Sequence, residues 1–181
     1  MKTSLVSQRR FIVSSAVAFC VMASAAAFAQ SKEATLRIGV YDSRAIAVAY
    51  GNSTEFRKSL DTVKADYQKA KEAKDDKRVK EIETQMKAKQ RRLHEQGFST
   101  GSVATIMASI KDSLPEVAKK AGVDVIVSKW EVNYQAPGIK VVDVTDDLVA
   151  LFHVSEKGLE WIKGVKTHAP VPLEQITDDM D

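Results

Sequence analysis

Residues 54–93 read TEFRKSLDTVKADYQKAKEAKDDKRVKEIETQMKAKQRRL, and their apolar spacing settles more about this chain than any other segment. Phe56, Leu60, Val63, Tyr67 and Ala70 recur at intervals of 4, 3, 4 and 3, the seam of a coiled coil with charge on the other faces. The seam stops at residues 71–78, where only Ala73 is apolar. It resumes out of phase at Val79, Ile82, Met86 and Leu93. A continuous heptad would need apolar residues near positions 74 and 77, where two lysines stand. Two helices folded back on each other, with a solvated tip near 74–77, account for this most simply. A single long helix with a stutter is the alternative.

Outward from the arm, the flanking segments read as a small body. Arg37 to Tyr41 is a short β-branched run ending at Asp42-Ser43, hence a strand followed by a helix over Arg44–Tyr50, capped by Asp42 or Ser43. Asn52 with Glu55 resembles a capping box for the next helix. Asn52-Ser53-Thr54 also matches a glycosylation sequon, but capping is the simpler role. A break is expected at 97–102, where two glycines and three hydroxyl residues cluster. Helical spacing returns at Val103, Ile106, Met107, Ile110 and Leu114, with Pro115 early in a last helix and Gly122 as its C-terminal cap. Val123–Ser128 alternates as a strand, Glu131–Gln135 reads as its partner, and 136–138 as a turn into Ile139–Val144. Thr145 supplies a hydroxyl cap and Asp146 and Asp147 favour a helix start. A short helix follows Ser155, and the Pro-containing, acidic segment from His168 is expected to lie extended.

The organisation expected is therefore a signal peptide at 1–29, the first strand and start of the body at 30–53, a helical arm at 54–121, strands and a short helix at 122–153, and a C-terminal helix and tail at 154–181. The fold class is α+β: a small β-sheet body, a projecting antiparallel helical hairpin, and short C-terminal helices. The leader has Lys2, Arg9 and Arg10 before an apolar run, then Ala27-Phe28-Ala29, which places cleavage before Gln30 and marks the chain for export. Arg9-Arg10-Phe11 lacks a twin-arginine spacing, and Phe19 is too bulky for a lipobox before Cys20. With Cys20 removed, the exported chain has no thiol, which suits an oxidising compartment.

Charge then changes meaning. The full chain has 27 basic and 24 acidic residues, a net +3. Removing the three leader cations leaves the exported chain neutral, so bulk charge gives no case for nucleic acid, and membrane association is expected to be only indirect. The asymmetry is internal: residues 54–96 carry 13 basic against 9 acidic groups, and 171–181 carry four acids and no base.

Chemistry is sparse. His94, His153 and His168 fall in three different elements without metal-ligand spacing, and no Gly-rich phosphate loop or nucleophile elbow occurs. Asp143, Asp146 and Asp147 suggest a hydrolytic or cation site, but helix capping explains Asp146 and Asp147 more simply. No cofactor, metal or catalytic residue is expected.

The order is similar to the Skp/OmpH-like periplasmic chaperone family. The resemblance rests on Ile38–Asp42 (IGVYD), on Val117–Val127 (VAKKAGVDVIV) and on Asp143-Val144-Thr145, with the charged hairpin between the first two. It covers about Leu36 to Phe152, and the chain resembles a divergent, short-armed member, since Thr54 to Lys74 would extend only ~30 Å. Membership implies a homotrimer whose strands form a body and whose arms hold unfolded outer-membrane or envelope polypeptides without ATP. Phe56, Leu60, Val63, Tyr67, Met86 and Leu93 are the arm residues expected to touch such clients, unless they only zip the two helices together. An envelope scaffold binding a folded partner, and a small hydrolase using the Asp143–Asp147 region, are the other readings.

Overall fold

The computed structural model describes residues 36–177; the leader expected at 1–29 lies outside them. The class is α+β, with seven α-helices and one three-stranded sheet among the described residues. Strand β1 (Arg37–Tyr41) lies between β2 (Val125–Ser128) and β3 (Lys140–Asp143), and both neighbours run parallel to it. Ile38 is level with Val125 on one side and Val141 on the other.

Helix α1 (Ser43–Gly51) follows β1 directly and forms the centre of the body. Its sequence, SRAIAVAYG, is apolar nearly all round, as expected of a helix enclosed by others. Ala45, Ile46 and Ala49 are fully buried, and the small alanines let neighbouring backbones approach. Around it pack α3 (Asp76–Phe98), α4 (Ala104–Ser109), α6 (Thr145–Ala150) and α7 (Glu156–Thr167). Val103, Ile106, Val117, Val144, Leu148, Phe152 and Ile162 complete the core. Gly158 sits where α7 meets the end of α1; a Cβ there would run into Val154 and press on Asn52.

Local chemistry fixes most boundaries. Asp42 is the N-cap of α1, its carboxylate accepting from Arg44 N at 3.0 Å. The cap of α2 (Thr54–Glu72) is Ser53, whose Oγ accepts from Phe56 N; the expected Asn52 cap is corrected, because the Asn52 amide is turned back to donate to Val48 O. Residues 73–75 turn the chain from α2 to α3, with Lys74 at φ 53° and Asp75 capping α3 through Arg78 N. These are two separate helices in contact, not one stuttered rod. Helix α3 ends at Phe98, and α5 (Leu114–Ala121) ends on Gly122 in the left-handed region at φ 63°. Thr145 does not cap α6: its hydroxyl accepts from Asp42 N, while Asp143 accepts from Thr145 N.

The sheet also corrects an expectation. Residues 131–135 form no strand, because β3 pairs with β1 instead of with the strand preceding it. The chain must travel back along the sheet through residues 129–139 before starting a parallel β3. Tyr41, Ile126 and Val142 turn toward the core, so Ile38, Val40, Val125, Val127 and Val141 share the opposite face. Coverage there is thin: Ile38, Val40 and Val127 are half-buried, and Leu36, Val125 and Val141 remain 44%, 42% and 40% exposed. Parallel sheets are ordinarily covered on both faces, so this one is left incomplete.

Candidate functional site

Helices α2 and α3 lie side by side and hold each other through few anchors. Near the body, Phe56 is buried edge-on against Tyr50, with ring centroids 5.3 Å apart. The Lys89 ammonium sits 4.7 Å from the Phe56 ring and donates to Ser59 Oγ at 3.1 Å. Toward the turn, Tyr67 Oη donates to Glu83 Oε1 at 2.9 Å. Only Phe56, Ala70 and Ile82 among the apolar residues of the pair are buried.

The remaining seam residues line two adjoining grooves. One, of about 480 Å³, has Phe56, Leu60, Met86 and Leu93 as its apolar surface, with Glu83, Lys87, Lys89, Gln90 and His94 around it. The other, of about 240 Å³, is formed by Leu60, Val63, Tyr67, Ile82 and Met86, with Lys64, Gln68 and Glu83 at its edge. Leu60, Glu83 and Met86 belong to both, so the grooves are continuous. All six arm residues singled out from the seam spacing line this surface, and five of the six are half-buried, Phe56 being the enclosed one. The geometry brings them together for a simple reason: a pair of helices has only one mutual interface, and an apolar stripe wider than it must stay partly open.

Seam spacing did not pick out the polar border. Lys64 and Lys87 are exposed, and neither has an ion-pair partner among the described residues. Their place at the groove edge follows from helical phase beside Leu60, Val63 and Met86. That signal was available in the sequence.

A second constellation was not legible. At the carboxyl end of β1, Asp42 is 1% exposed and its carboxylate collects five donors. Oδ1 accepts from Arg44 N and Nε and from Trp130 Nε1; Oδ2 accepts from Arg44 Nη2 at 2.9 Å and Lys129 Nζ at 2.8 Å. Burial pushes this carboxyl up, but the bonds from Arg44, Lys129 and Trp130 outweigh it and hold the pKa at about 2. Arg44 and Lys129 both lie over the Trp130 ring, at 5.0 and 4.5 Å, and Arg44 Nη1 reaches His168 O. The Asp42–Arg44 pair thus ties together β1, the return segment after β2, and the chain after α7.

The Asp143–Asp147 region is dispersed. Asp143 bonds to the backbone of Thr145, Asp146 pairs with Lys166 at 2.8 Å, and Asp147 pairs with Lys120 at 2.7 Å. No group of three or more His, Cys, Asp or Glu side chains is placed to hold a metal ion among the described residues. No helix among them is long and apolar enough to cross a membrane.

No family model, curated protein or solved structure matches this chain.

Proposed function

We propose that this protein is an exported, ATP-independent holdase of the Skp/OmpH-like kind, which keeps unfolded outer-membrane or envelope proteins from aggregating. The reading takes α2 and α3 as a projecting antiparallel arm and the sheet as the seat of a homotrimer in the periplasm. One observation carries it: the apolar seam of a cation-rich helix pair stays open as a continuous groove. An open apolar surface on an otherwise charged element is what a binding face requires, and lysine stems keep such a surface soluble without covering it. The separate partners of Asp143, Asp146 and Asp147 favour this non-enzymatic reading over a hydrolase.

Dilution of a urea-denatured outer-membrane protein into the chain from residue 30 onward tests the proposal by light scattering. Suppression at one trimer per client is expected; unchanged scattering overturns the reading. The thinly covered sheet face with Leu36, Val125 and Val141 supports self-association. Sedimentation at micromolar concentration is expected to give the trimer mass, and a monomer mass would remove that part of the proposal. An Asp146→Asn/Asp147→Asn variant is expected to suppress aggregation as well as the parent.

A further inference from the structure

We infer that the groove between α2 and α3 takes an acidic amphipathic helix, which docks as the third helix of a small bundle. The inference rests on the reading of α2–α3 as the binding surface, and it names what fits there.

Backbone polar groups select a helix over an extended segment. The groove surface is built from Leu60, Val63, Met86 and their apolar neighbours on two helices whose own N–H and C=O groups are already bonded within α2 and α3. An extended segment laid along it would bring one donor and one acceptor per residue onto a wall with few partners. A helix satisfies those groups internally and presents side chains alone. Length agrees: Phe56 to Tyr67 along α2, and Ile82 to Leu93 along α3, each span about 16 Å, some three helical turns. The fitting partner therefore carries apolar residues at i, i+3 or i+4, i+7 and i+11.

Charge selects among helices. Lys64, Lys87 and Lys89 border the groove against Glu83 alone, and Glu83 is engaged by the Tyr67 hydroxyl. The arm of a second copy is a poor occupant, since residues 54–96 carry 13 basic and 9 acidic groups and would bring cations against cations. A helix flanked by Asp and Glu meets the exposed Lys64 and Lys87 with opposite charge at the rim, where attraction adds selectivity and sensitivity to salt.

Three labelled peptides of about four helical turns test this by fluorescence anisotropy against the chain from residue 30 onward. The first has leucines at the stated spacing and glutamates elsewhere, the second replaces glutamate by lysine, and the third scrambles the first so that its apolar residues share no helical face. The acidic helix is expected to bind and to gain helical circular dichroism, with the other two weaker by about tenfold or more. A Lys64→Glu/Lys87→Glu variant with unchanged circular dichroism is expected to reverse the preference between the first two. Equal binding of the scrambled peptide, equal binding of the basic peptide, no binding of any, or an unaltered preference in the variant each overturns the inference. The aggregation assay keeps the two proposals apart. Suppressed scattering without helix binding sinks only this inference, and helix binding without suppression sinks only the holdase reading.

Discussion

The carboxyl end of β1 and the face of the α2–α3 pair solve opposite problems with similar residues. At the strand end, Asp42, Arg44 and Lys129 are ionised side chains matched donor to acceptor around one enclosed carboxylate. Along the helices, charged side chains border an apolar surface that nothing among the described residues closes. The first arrangement holds distant segments in one geometry. The second leaves interaction capacity unused. Substitutions in the two regions should therefore separate stability from binding.

The largest effect is expected where a charge would be stranded. Asp42→Ala leaves Arg44, only 2% exposed, without its carboxylate. Breaking a buried pair by removing one partner costs about 3–5 kcal/mol. Urea unfolding should show that loss, and a variant within about 1 kcal/mol of the parent would mean Arg44 finds water instead. Acid probes the same group without mutation. Its folded pKa, about 2, lies below the unfolded value near 3.8. The stabilisation is thus complete above about pH 5 and is lost progressively as pH falls through about 2, amounting to roughly 2 kcal/mol. Asp42→Asn should flatten that part of the pH–stability curve.

Paired truncations sharpen the contrast. Leu148 is fully enclosed beneath α1, and Leu148→Ala is expected to cost about 3 kcal/mol. Leu60 is half-buried in the open groove, so Leu60→Ala should cost about 1 kcal/mol while weakening client or helix binding. Equal stability losses would show that Leu60 belongs to a closed seam, and the groove would then not be a free surface.

What the sequence revealed follows the range of the interactions. The seam from Phe56 to Leu93, the β-branched run of β1 and the glycine cap after α5 are set by neighbours within a few residues, so periodicity exposes them. The clamp on Asp42 is not of that kind. Asp42 reads locally as an N-cap, which it is, but Trp130 comes from 88 residues away, and spacing carries no trace of it. The strand expected at 131–135 fails for a related reason. Glu131-Val132-Asn133-Tyr134-Gln135 alternates as a strand would, yet the central place of β1 commits that segment to a return path. Topology overrode propensity there, as Val48 O did for the Asn52 cap. The groove lies between these cases: its apolar residues were evident, but whether they would be sealed depended on the width of the stripe against the single contact between two helices.

The turn joining the helices offers the smallest and cleanest test. Lys74 occupies the left-handed region at φ 53°, where an L side chain is strained and glycine is not. Its neighbours already satisfy the turn, with Lys74 N donating to Lys71 O and Asp75 N to Ala70 O. Lys74→Gly relieves the strain but adds freedom to the unfolded chain, so the net gain should be about 0.5 kcal/mol. A melting temperature higher by ~2 °C is the expected readout. Because Lys74 lies outside both grooves, binding should be unchanged, so the rise in stability would come from the turn alone. A lower melting temperature would mean that the chain does not turn at Lys74 in this conformation, and the register of α2 against α3, with the groove it creates, would have to shift with it.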